Sequence, residues 1–129
     1  MAPIQVICVD DDADVRAALT WLMDHTPGLA CVGSLETAGR LVAQVAGTDA
    51  DVVLLDVKMP GADPLEQVRE LKASGLDVAT IVLSGDTSNS EAFLRAGAAA
   101  CLSKDTDPDV IIQTIRHCAP GRHAASRRS

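Results

Sequence analysis

The chain has no tyrosine, one tryptophan and one phenylalanine. A core with so little aromatic bulk must be filled by Val, Ile, Leu and Ala, as in helices packed on buried strands. Its four cysteines, Cys8, Cys31, Cys101 and Cys118, are far apart and form no Cys-x-x-Cys pair. That spacing suits neither a zinc site nor a disulfide framework, and reads as thiols in a reducing compartment. No apolar run approaches the ~20 residues of a membrane-spanning helix. The N-terminus also lacks the basic start and long apolar stretch of a signal peptide. The expected location is the cytoplasm, with no membrane contact.

Positive charge is scarce as well. There are 11 Lys and Arg against 18 Asp and Glu, a net charge of −7. Residues 119–129 hold Arg122, Arg127 and Arg128 and no acid, so the preceding 118 residues carry 8 basic and 18 acidic side chains, a net of −10. Phosphate backbones are gripped by clustered Lys and Arg, so an acidic body is not expected to bind nucleic acid directly. The 129 residues suit one domain. Residues 1–118 are expected to fold together, with 119–129 as a flexible C-terminal tail or linker stub.

What the chain does have is regular alternation. Continuous apolar runs predict strands at Ile4–Val9, Leu29–Gly33, Val52–Leu55, Ala79–Leu83 and Ala99–Leu102. Segments of helical period lie between them. Asp12 caps a first helix striped by Val15, Leu19 and Leu22, which Pro27-Gly28 ends, with Trp21 in the core or partly exposed. Leu41, Val42 and Val45 stripe a second helix that stops at Gly47. Asp63-Pro64-Leu65-Glu66 opens a third, with the N-cap, first-turn proline and acid of a capping box, ahead of Leu65, Val68 and Leu71. A fourth follows Thr87 and ends near Gly97, and Asp107-Pro108 opens a fifth striped by Ile111, Ile112, Ile115 and Cys118. His25, His117 and His123 show no ligand spacing and are placed at the surface. Five such units predict an α/β fold, a doubly wound five-stranded parallel sheet.

Four of the strands end in residues that a buried strand does not need. Asp10, Asp11 and Asp12 follow the first, Asp56 the third, Ser84 the fourth, and Lys104 stands just beyond the fifth. Ligand sites of open parallel sheets lie outside the carboxyl ends of the strands, so these groups can share one pocket. Carboxylates crowded there raise one another's pKa unless a cation intervenes, and a hard ion such as Mg²⁺ suits oxygen ligands. Phosphoryl transfer needs an in-line nucleophile and positive charge on the phosphoryl oxygens. Asp56 is the candidate nucleophile and phospho-acceptor, Lys104 the candidate ammonium, and Ser84 the candidate hydroxyl donor.

These segments resemble one family. Val9-Asp10-Asp11-Asp12, with Arg16 beyond it, is similar to the acidic turn of response-regulator receiver domains. Asp56-Val57-Lys58-Met59-Pro60-Gly61 resembles their phosphorylation loop, Leu83-Ser84-Gly85 their switch segment, and Leu102-Ser103-Lys104-Asp105 their lysine segment. The resemblance spans roughly residues 4–118, with all four motifs in order. It implies a flavodoxin-like (βα)5 sheet of order 2-1-3-4-5. It also implies Mg²⁺ held by Asp10, Asp11, Asp56 and the backbone carbonyl of Lys58, directly at Asp11 and mostly through water at Asp10. A sensor histidine kinase would phosphorylate Asp56, and the face of the fourth helix, fifth strand and fifth helix would then switch to control a partner or effector domain, commonly by homodimerisation. Asp105 after the lysine, where many receivers have proline, resembles the subfamily that precedes helix-turn-helix DNA-binding domains and regulates transcription. The chemistry implied is self-phosphorylation and self-dephosphorylation, not turnover of a small-molecule substrate.

One position departs from the pattern, and two more flank the site. The family's switch usually pairs its Ser or Thr with an aromatic residue three positions before the lysine, and here that residue is Cys101. Lys58 and Asp86 each lie two residues beyond a site residue, and are expected to pair across the pocket mouth and govern entry of the attacking water. Two other functions compete. A small phosphatase of the haloacid-dehalogenase type uses the same groups, and Asp10-Asp11-Asp12 contains its Asp-x-Asp, but Asp14 stands where that family has Thr or Val and there is no cap domain. A degenerate receiver would serve as an interaction module without being phosphorylated, which the full acidic set argues against.

Overall fold

Strand pairing in this chain follows from apolar runs that are buried on both faces. A computed structural model of the protein describes residues 3–36, 39–57, 63–85 and 87–120. Five strands, β1 (Ile4–Val9), β2 (Leu29–Leu35), β3 (Val52–Asp56), β4 (Ala79–Ser84) and β5 (Ala100–Ser103), form one parallel sheet of order β2-β1-β3-β4-β5. The helices are α1 (Ala13–Asp24), α2 (Leu41–Ala46), α3 (Pro64–Ala73), α4 (Ser90–Ala96), which follows a 3-10 turn at Thr87–Asn89, and α5 (Pro108–Cys118). The predicted strands hold to within two residues at either end. The longest extension is in β2, which runs on to Leu35 past an irregularity in its pairing with β1 between Val6 and Ile7.

Side chains alternate across the sheet and divide the core in two. Ile7, Val9, Val53, Leu55 and Val82 face Leu41, Val45, Val68, Leu71 and Phe93 of α2, α3 and α4. Val6, Cys8, Val52, Leu54, Ile81 and Leu83 face Met23 of α1 and Ile111, Ile112 and Ile115 of α5. Both layers are aliphatic except for Phe93, which supplies the only aromatic ring in either cluster. At the amino edge a buried acid stitches three strands. Asp51 accepts from Gln5 N through Oδ2 (2.9 Å), donates its N–H to Gln5 O (2.7 Å), and its carbonyl accepts from Ala79 N (2.9 Å).

Most local signals act as the sequence predicts. Asp12 caps α1 by accepting from Asp14 N and Val15 N, and Asp63 and Asp107 cap α3 and α5, each followed by proline in the first turn. The stripe of α1 is the exception. Val15 is exposed, and the buried side of the helix runs through Leu19, Leu22 and Met23 instead. Val15 stands in the first turn of α1, ahead of the residues that join the core. Trp21 lies on the outer face at 61% exposure, its ring stacked on His25 at 4.2 Å. Residues 121–129 of the expected tail lie outside the described residues.

Gly97 ends α4 with a φ of +122°, and a Cβ built there would stand 2.8 Å from Cβ of Lys72 on α3. A side chain would therefore be strained by its backbone and would clash with the neighbouring helix. Gly97→Ala is expected to lower stability by about 1–3 kcal/mol. The check is the urea midpoint, which should fall with the slope of the transition unchanged.

Candidate functional site

Parallel strands carry every carboxyl end to the same edge, and the polar residues just past those ends meet there. Asp10 follows β1, and its N–H donates to Leu35 O at 3.0 Å, continuing the ladder one step beyond the strand. Its Oδ1 accepts from Asp12 N at 2.9 Å, which shapes the acidic turn. Asp56 and Ser84 are the last residues of β3 and β4. Lys104 N donates to Ser84 O at 3.0 Å, so the pairing of β4 with β5 sets the lysine beside the serine. Beyond it the chain turns through Thr106 N to Ser103 O (3.0 Å) and Asp105 N to Ser103 Oγ (3.1 Å).

Carboxylate oxygens of Asp10, Asp11 and Asp56 lie within 4.8 Å of one another. Asp10 and Asp56 are each 2% exposed, whereas Asp11 is open to solvent. Lys104 reaches in with Nζ 2.6 Å from Asp56 Oδ1 and 3.8 Å from Asp10 Oδ2. Among the described residues Lys104 is the one ammonium that reaches the three carboxylates. The pKa of Asp10 is raised above the ordinary carboxylate value. Burial is the main cause; the bond from Asp12 N pulls it down, and the charge of Asp56 pushes it up again. For Lys104, burial opposes the charge most strongly, yet the hydrogen bond and attraction from Asp56, then Asp10 and Asp11, outweigh it and raise its pKa. The donors are oxygens of hard anionic ligands, one of them open to solvent, so the cluster fits a hard divalent cation that keeps some of its water.

The structure thus gathers Asp10, Asp11, Asp56 and Lys104, with Ser84 at the same edge. Lys58, expected to offer a backbone carbonyl, lies outside the described residues, as does Asp86, so their expected pairing does too. One contact went unread in the sequence. Arg16 of α1 donates from Nη1 to the carbonyl of Asp10 at 2.7 Å. A cation six residues after an acid and one turn into a helix carries no contact signal in one sequence.

A doubly wound sheet with an acidic cluster and a lysine at its carboxyl edge suits a domain that handles a phosphoryl group with a divalent cation. The model of the response regulator receiver domain matches residues 6–116, and the chain belongs to that family. Over 128 residues the chain is 32% identical to the nitrate/nitrite response regulator protein NarP of Escherichia coli strain K12, covering 98% of this chain and 60% of that protein. It is 35% identical over 126 residues to the response regulator UvrY of the same strain, covering 95% and 58%. The chain therefore spans about three fifths of the length of these curated relatives. The signal receiver domain of the response regulator NarL from Mycobacterium tuberculosis has the same fold, with a TM-score of 0.84, 22% identity and coverage of 92% and 97%. This protein is thus a receiver domain of the two-component kind, in a family whose members are phosphorylated by histidine kinases. Family membership replaces the phosphatase reading. Among the described residues no helix is long and apolar enough to cross a membrane.

Because the folded-state pKa of Asp10 is raised, its ionisation works against folding. Its contribution is favourable only below the unfolded carboxylate range and is lost as pH rises through the folded-state value. Asp10→Asn is therefore expected to raise the denaturation midpoint of the metal-free protein at pH 7. The advantage should shrink to nothing as the solution is acidified and Asp10 of the parent protonates. An Asn variant no more stable than the parent at pH 7 would contradict the cost assigned to burying an ionised Asp10 beside Asp56.

Proposed function

We propose that Asp56 is the phospho-acceptor of this receiver and that a sensor histidine kinase supplies the phosphoryl group. The observation that carries the reading is the Asp56–Lys104 contact of 2.6 Å inside a cluster that also holds Asp10 and Asp11. An Asp56 oxygen forms the new O–P bond as the P–N bond of the donor phosphohistidine breaks. Lys104, already against Asp56, stays to neutralise a phosphoryl oxygen, and the Ser84 hydroxyl donates to another. Asp10, Asp11, Asp56 and the backbone carbonyl of Lys58 would hold Mg²⁺. Bound there, the ion supplies charge neutralisation to the phosphoryl oxygens.

The readout is the face formed by α4, β5 and α5. Leu94 on α4 and Val110 on α5 are nearly half exposed, apolar positions that support homodimerisation of the phosphorylated form through this face. With Cys101 half-buried in place of the family's aromatic, Ser84 moves with less side-chain coupling to that surface. Since the relatives are longer than this chain, we infer a cytoplasmic regulator whose receiver controls a helix-turn-helix effector domain, the acidic body itself making no contact with DNA.

Acetyl phosphate with Mg²⁺ is expected to add one phosphoryl group to the chain, read as intact mass. Asp56→Asn should abolish the gain, and Lys104→Ala should lower its yield and rate about a hundredfold or more, the scale of losing one electrostatic stabiliser. No gain in the parent would favour a degenerate interaction module. Dimerisation has its own test. Sedimentation should show the labelled chain at twice its monomer mass, and Leu94→Asp with Val110→Asp should keep it monomeric while labelling proceeds. A labelled parent that stays monomeric at tens of micromolar would rule this face out as a stable dimer contact.

A further inference from the structure

Arg16 is half-buried one turn into α1, where a guanidinium contributes little to helix packing. Its Nη1 donates to the carbonyl of Asp10 at 2.7 Å, in the short range of charge-assisted bonds. That carbonyl belongs to the peptide plane joining Asp10 to Asp11, so holding the oxygen sets the tilt of the whole unit. The two ends of Asp10 are thus fixed by different elements. Its N–H is held by Leu35 O of β2 and its C=O by Arg16 of α1, while its carboxylate is turned by Asp12 N. Only Asp11, the exposed member of the cluster, has no strand behind it to fix where its carboxylate points.

We propose that Arg16 is a positioning residue for cation binding, orienting the Asp10–Asp11 peptide so that both carboxylates face Asp56. The inference rests on reading the acid cluster as a Mg²⁺ site and adds a residue to it. Direct electrostatics predicts the opposite effect. A positive charge this close repels a divalent ion, so if charge alone mattered, removing Arg16 would tighten Mg²⁺ binding. If orientation matters more, removing it loosens binding, because partners that hold a ligand in place commonly contribute about 10–100-fold to metal affinity. The sign of the change separates the two accounts.

The test is calorimetric titration of Mg²⁺ into the full chain, without any phosphoryl donor. Arg16→Ala is expected to weaken binding roughly tenfold. Arg16→Lys, which keeps the charge and a donor, should recover part of the loss. Saturating Mg²⁺ should return the acetyl phosphate labelling rate of Arg16→Ala close to that of the parent, which a general loss of structure would not allow. Mg²⁺ binding equal to or tighter than the parent's in Arg16→Ala overturns the proposal. If the Ala variant does not fold, Arg16→Gln carries the test, since it drops the charge and shortens the donor. Weaker binding then supports positioning, and equal or tighter binding overturns it. A parent chain that binds no Mg²⁺ overturns the cation reading beneath it instead, so the two failures are distinguishable.

Discussion

Three carboxylates held together at the carboxyl edge of the sheet, two of them buried, with the Lys104 ammonium against them, form the interaction on which the rest of this domain depends. The arrangement is unfavourable for an ionised Asp10, whose pKa is raised by burial first and then by the charge of Asp56. It persists because β1 and β3 are central strands, paired on both sides and buried on both faces, so their ends cannot drift apart to relieve the repulsion. The proposed cation binding and phosphoryl transfer would both draw on that arrangement. The rigidity of the aliphatic core and the chemistry of the edge are thus two aspects of one constraint.

The scaffold concentrates its polar devices at the two sheet edges. At the amino edge Asp51 is buried but engaged by backbone groups of neighbouring strands, and its role is to tie β1, β3 and β4. At the carboxyl edge Asp10 and Asp56 are just as buried, yet they face each other and Lys104. Residue type and burial are the same, and only the partners differ. This is why a buried acid marks a site where its neighbours are charged and marks architecture where they are amides.

The output side of the domain is less standard than its acidic side. With Cys101 three positions before its lysine, this receiver lacks an aromatic ring at the position where the family's switch usually has one. The backbone bond from Lys104 N to Ser84 O remains, and it joins β4 to β5 directly behind the site. Movement of the serine would then pass into β5 through the main chain, toward the apolar positions Leu94 and Val110 on the flanking helices.

Apolar runs of strand length, capping residues and polar residues after four of the strands are enough to read the layered fold, the strand ends and the candidates Asp10, Asp11, Asp56, Ser84 and Lys104 from the sequence, because each is a local pattern with a local cause. Strand order came from resemblance to a family, since several orders obey the same connection rules. Val15 was misread because helical period alone does not reveal where the layer beneath a helix stops. Contacts between groups whose positions depend on other elements were decided only by the tertiary structure: the ammonium of Lys104 on Asp56, the guanidinium of Arg16 on the carbonyl of Asp10, and the bonds of Asp51 across three strands. Distance along the chain does not encode distance in space until the sheet is assembled, and the charges of this site acquire their energies only then.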